Sequence, residues 1–146
     1  MDEKMKKMKT DDLLNQLVSA DSPEALAPIM AAARQEGLTF SGYYADCLAR
    51  RGLAKSEAIR RSGLDRTYAY QILEGTRSPG RDKVLALAMG AGLPLDAIQR
   101  LLKLAGQGAL YPRLPRDAAI LFAIGQGYSV MKTNELLAEA GEELIL

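Results

Sequence analysis

Residues 66, 67, 70 and 71 are Arg66, Thr67, Tyr70 and Gln71, a spacing that puts all four on one face of an α-helix. The types suit the edges of base pairs. A guanidinium can bond a guanine edge in two places and a carboxamide an adenine edge in two places, while Thr offers a hydroxyl or a methyl group. Tyr70 completes this candidate base-reading set. Lys55, Arg60, Arg77 and Arg81 surround it in sequence, with Arg61 and Lys83 beside them, and these charges suit phosphate oxygens. The same residues also admit plainer roles. Arg60 and Arg61 fit a solvated helix face, and Tyr68 and Tyr70 fit a core edge with their hydroxyls in water.

Two short helices must position these side chains. The stretch from Leu53 to Gly75 reads as a pair joined by a tight turn at Gly63-Leu64. Ile59, Leu64, Ala69 and Ile72 point inward. Gly63 stands where a positive φ would end the first helix. Asp65 is a good N-cap for the second. Around this pair, Thr10-Asp11-Asp12 starts one helix and Ser22-Pro23-Glu24 another. Leu13, Leu14, Leu17 and Val18 share a face of the first, and Leu26, Ile29, Met30 and Ala33 line the buried side of the second. Thr39 caps a helix running to Gly52 through Phe40, Tyr44, Cys47 and Leu48. After the Arg77-Ser78-Pro79-Gly80 turn, one helix ends at Gly90 to Gly92 and another runs from Pro94 to Ala105.

Residues 107 to 115 form a connector with two prolines. Beyond it the pattern recurs with a shift of 35 residues. Arg81-Asp82 meets Arg116-Asp117, Gly90 and Gly92 meet Gly125 and Gly127, Leu101-Leu102 meets Leu136-Leu137, and Ala105-Gly106 meets Ala140-Gly141. A repeated helical hairpin that stacks on its predecessor and extends the core is expected.

Composition bounds the chemistry. Apolar residues make up 48% of 146 residues and aromatics 5%, an Ala/Leu-rich balance that favours helices over sheet. With no His and one Cys, a metal site and His-based acid–base catalysis are not expected. A phosphate loop and a cofactor fingerprint are both missing, so neither an enzyme nor a cofactor is expected. The charged N-terminus lacks a secretory pattern, and no apolar run suits a bilayer span; a cytoplasmic protein is expected. Net charge is only +1, but residues 50 to 83 carry nine Lys/Arg against four Asp/Glu, and residues 132 to 146 carry four Glu against one Lys. A basic middle with an acidic end fits a nucleic-acid partner for the middle.

The stretch LAKSEAIRRSGLDRTYAYQILEGTRSPGRDKVLALAMGAGLPLDAIQRLL resembles the helix-turn-helix domain of the phage-repressor (Cro/C1, or xenobiotic-response-element, XRE) transcription regulators. The resemblance runs from about Thr39 to Ala105. Its motifs are the Gly63 turn, Ile72-Leu73-Glu74-Gly75 and the following Arg-x-Pro turn. It implies an all-α, five-helix lambda-repressor-like fold whose third helix, residues 65–74, reads double-stranded DNA. Lys55 then falls at the phosphate-contacting start of helix two, Arg66, Thr67 and Gln71 at base-reading positions, and Arg77 in a backbone-contacting loop. Ala54 departs from the family's usual Ser, Thr or Asn cap, and Ala58-Ile59 from its usual leucine-alanine pair.

The expected organisation is an N-terminal helical extension (1–38), a DNA-binding domain (39–106) and an appended C-terminal helical hairpin (107–146), about eight helices around one core. Related regulators bind as dimers; the hairpin and Leu144-Ile145-Leu146 are the candidate homodimer surface. The alternative is a helical adaptor that keeps this fold and binds a protein partner through its N-terminal helices or its C-terminal hairpin.

Overall fold

The computed structural model describes residues 10–33 and 39–146, and within them the chain is all-helical with no strand. The helices are α1 (Thr10–Ser19), α2 (Pro23–Ala33), α3 (Phe40–Arg51), α4 (Lys55–Ser62), α5 (Arg66–Leu73), α6 (Arg81–Gly90), α7 (Leu95–Leu104), α8 (Pro115–Gln126) and α9 (Val130–Glu139). None of them is long and apolar enough to cross a membrane.

Local chemistry sets most of the ends. Thr39 accepts a hydrogen bond from the Gly42 N–H at 3.0 Å, and Ser129 from Lys132 at 3.1 Å. Ser22 accepts from Ala25 at 3.2 Å. Each satisfies a donor that the first turn would otherwise leave open. Pro115 starts α8, where its missing N–H costs nothing.

Helix α6 is the centre. Every residue from Val84 to Gly90 is buried, as expected of a helix apolar on all sides. Its closest neighbour is α4. A Cβ on Gly90 would lie 2.8 Å from the Ser62 backbone nitrogen and 3.0 Å from the Ala58 carbonyl oxygen, so only a glycine lets the two backbones approach this far. Tyr44 of α3 is fully buried and donates its hydroxyl proton to the Leu87 carbonyl at 2.8 Å. Cys47 is buried in the same core.

The C-terminal hairpin belongs to that core: Ile120, Ala123, Val130, Leu137 and Ile145 join the cluster built on α3 to α7. Burial of Ile145 therefore corrects its expected place on an external dimer surface. The repeat is visible in three dimensions. Arg81 donates from Nε to the Gly108 carbonyl and from Nη2 to Ala109, each at 3.0 Å. Thirty-five residues on, Arg116 donates to Glu143 and Leu144 at 2.9 and 3.0 Å. Gln99 brackets the Leu110 backbone with two bonds, as Asn134 does that of Ile145.

The second hairpin packs on the first and extends the core, as expected, and the two units pair reciprocally. Arg81 bonds Asp117 while Arg116 bonds Asp82, and α6 packs on α9 while α7 packs on α8. Reciprocal exchange of this kind is the signature of a two-fold relation between repeats; translation would leave one arginine unmatched.

Helices α1 and α2 pack chiefly on each other. Leu13 is buried, but Leu14, Leu17, Val18, Leu26 and Met30 are exposed, and none joins the main core cluster. The expectation of one core for the whole chain is corrected here. The apolar stripes are present, but no other helix among the described residues covers them.

Candidate nucleic-acid interface

Helices α4 and α5 are joined as their residues dictate. Gly63 takes φ +76°, ψ 4°, a left-handed conformation costly for any side chain with a Cβ. Ser62 ties the turn, donating to the Ile59 carbonyl at 2.6 Å and accepting from the Leu64 N–H at 3.2 Å. Asp65 caps α5 by accepting from the Tyr68 N–H at 3.0 Å. Ala54 stands at the N-cap of α4 with no side-chain bond, as its type requires.

Ala69, Ile72 and Leu73 hold α5 in the core. Arg66 and Thr67 are then exposed, and Tyr70 and Gln71 half-buried. The predicted residues fall into two groups. Arg60, Arg66 and Tyr70 border one depression of about 380 Å³ between α4 and α5, with Ser56 and Glu57. There the Arg66 guanidinium lies 5.7 Å from the centroid of the Tyr70 ring, a cation–π distance. Tyr70 is thus both a core-edge residue and a support for Arg66.

The second group lies toward the end of α5. Arg77 donates from Nε to the Gln71 Oε1 at 3.1 Å, leaving the carboxamide NH2 for another partner. The guanidinium of Arg77 sits 5.2 Å from the Tyr68 ring centroid, and the Lys83 ammonium 5.8 Å from it. Tyr68 gathers two cations beside the predicted reading face. In sequence Tyr68 fits a core edge, and helical spacing within α5 does not show cations arriving from a later turn and helix.

The remaining cations differ in what they can offer. Lys55 is exposed at the first position of α4. Arg60 and Arg61 both bond Glu57; these bonds hold the Glu57 carboxyl down at about 2. Both arginines stay at least half exposed. Arg81 is different. Its guanidinium is filled by Asp117, Gly108 and Ala109, so the structure sets it in the repeat interface, apart from the α4–α5 face. The signal was available, since Arg81-Asp82 and Arg116-Asp117 match across the repeat. Lys55, Arg66 and Arg77 make no ion pair among the described residues, whereas Arg50, Arg60, Arg61 and Arg81 do.

No protein-family model, curated protein or solved structure matches this chain.

Proposed function

We propose that the chain is a sequence-specific DNA-binding transcription regulator of the lambda-repressor-like helix-turn-helix type. In this reading α3 to α7 are the five-helix unit, α5 enters the major groove, and the protein works in the cytoplasm. The observation that carries it is the set of unpaired cations on the α4–α5 face. Lys55 and Arg66 are exposed at the starts of α4 and α5, Thr67 is exposed beside Arg66, and Arg77 in the following loop orients the amide of Gln71. Arg66, Thr67 and Gln71 are positioned to read base edges, with Tyr70 supporting Arg66. Lys55, Arg77 and Arg60 reach toward phosphates. Arg81 is withdrawn from this set, because its donors are occupied.

In vitro selection of duplex DNA by the full chain tests the proposal. An enriched sequence whose binding falls with salt and is lost with Arg66→Ala supports it. A chain that binds no duplex at low salt refutes it.

A second reading is favoured by the exposed apolar face of α1 and α2: a helical adaptor that binds a protein partner. A stable protein complex with no duplex binding would select that reading.

A further inference from the structure

Beside the turn that leads into α5 lies a groove of about 810 Å³. One wall is Arg60 to Asp65 at the end of α4, with Lys83 and Ala86 of α6. The other is Val130, Met131 and Ala138 of α9 with the tail Leu144 to Leu146. A second depression of about 510 Å³ shares Arg60, Arg61, Val130 and Met131 with it and runs on past Leu93 to Tyr128. Together they form one trough with an apolar floor. Met131 is 77% exposed and Leu146 72%. Arg60, Arg61 and Lys83 on its rim outnumber Asp65 and Glu135 by one; Arg60 and Arg61 also bond Glu57 and stay at least half exposed.

The chain also carries the complement of this trough. Residues 10–33 contain Asp11, Asp12, Asp21 and Glu24 and no Lys or Arg, and the N-terminal segment 1–38 as a whole carries seven Asp/Glu against five Lys/Arg. On the same two helices Leu14, Leu17, Val18, Leu26 and Met30 are exposed. An acidic helix pair with an open apolar stripe matches a trough with an apolar floor and a basic rim, by both hydrophobic burial and charge. Within one copy the two are apart, since no described residue of 10–33 lines either part of the trough. The pair joins the body at Thr39, which borders Ile72, Glu74 and Gly75 at the C-terminal end of α5. The trough opens at Gly63 to Asp65, at the N-terminal end of that helix.

We infer that the α1–α2 pair of one copy docks in the trough of a second copy, so that the chain dimerises by exchange of its N-terminal helices. The apolar stripe seats on Met131, Val130 and Leu146, and the acids of the pair face Arg61 and Lys83. This is a protein–protein surface and does not depend on DNA binding. A test without DNA separates its failure from that of the regulator proposal.

The experiment is sedimentation equilibrium on the full chain. Wild type is expected to approach double the 15.8 kDa chain mass as concentration rises, less so at high salt. Leu17→Asp/Val18→Asp on the pair and Met131→Asp/Leu146→Asp on the trough should each give monomers. These side chains are 40 to 78% exposed, and circular dichroism checks that both variants remain folded. Mixing the two variants should restore a dimer, because one intact helix pair still meets one intact trough. A wild type that stays monomeric at millimolar concentration overturns the proposal. So does a dimer that neither variant weakens, a mixture that stays monomeric, or cross-linking that joins the pair to the trough of its own chain.

Discussion

Arg81 and Asp117 meet through two parallel 2.8 Å hydrogen bonds, and the matching pair Arg116 and Asp82 meets at 3.1 and 3.2 Å. Each repeat therefore supplies the carboxylate that the other's arginine needs. Each arginine also holds two carbonyls of the segment that closes its own repeat. This double lock joins the helices around α4 and α5 to the C-terminal hairpin, so the hairpin helps fix the position of α6, against which α4 is packed.

The lock should be costly to break from one side. Asp117 is 3% exposed in its side chain and Arg81 25%. Replacing one partner of a buried pair leaves the other charge unpaired, at about 3–5 kcal/mol. Since Arg81 keeps some solvent, Asp117→Ala is expected near about 3 kcal/mol by urea denaturation. The double change Arg81→Met/Asp117→Leu should cost less than Asp117→Ala, because it leaves no charge behind.

The same pair gives a pH signature. The Arg81 guanidinium, then the Tyr111 N–H, hold the Asp117 carboxyl below its ordinary value against the opposing effect of burial. A depressed folded-state pKa binds fewer protons than the unfolded chain does, so its contribution is complete above the unfolded carboxyl range, about 4. It is lost as pH falls through the lower folded value. Unfolding free energy should drop below about pH 4, and Asp117→Asn should flatten that slope.

Glycines at equivalent repeat positions should respond oppositely. Gly90→Ala drives a Cβ into the backbone of Ser62 and Ala58 and is expected to destabilise by about 1–3 kcal/mol, as overpacking does. Gly125 is exposed, within α8, and a Cβ there meets nothing within 4 Å. Gly125→Ala should stabilise by about 0.5–1 kcal/mol through helix propensity. Thermal unfolding of the two variants checks the contrast.

Caps on α4 and α5 can be tested as a pair. Asp65→Ala removes the bond to Tyr68 and should lower stability by about 1 kcal/mol. Ala54→Ser adds an acceptor where the backbone is already extended at φ −72°, ψ 146°, and a gain of about 0.5–1 kcal/mol is expected. No change in chemical denaturation for Ala54→Ser would mean that water already serves those N–H groups.

On DNA, Lys55 and Arg66 should separate phosphate holding from base reading. Lys55→Ala is expected to weaken all duplexes alike and to reduce the salt slope by about 0.9. Arg66→Ala should cost about 1–3 kcal/mol on the selected site and relax its sequence preference. Fluorescence anisotropy on selected and scrambled duplexes at several salt concentrations reads both.

The sequence alone determined whatever depends on neighbours along the chain. The turn at Gly63, the caps at Thr39 and Asp65, the inward set Ile59, Ala69 and Ile72, and the 35-residue repeat were legible because backbone conformation and helical periodicity are local. The appended hairpin's glycines and leucines announced its helices for the same reason. Tertiary structure decided which partner each exposed-looking group found. Arg81 reads as a phosphate ligand until Asp117, 36 positions away, fills its donors. Leu26 and Met30 read as a buried side, yet both are exposed and no other helix among the described residues covers them. Ile145 reads as a sticky end until the core encloses it. A charge or an apolar stripe states only what it can bind. Which partner lies within a few ångströms follows from how the helices cross, and here that crossing pairs the two repeats through reciprocal Arg–Asp contacts.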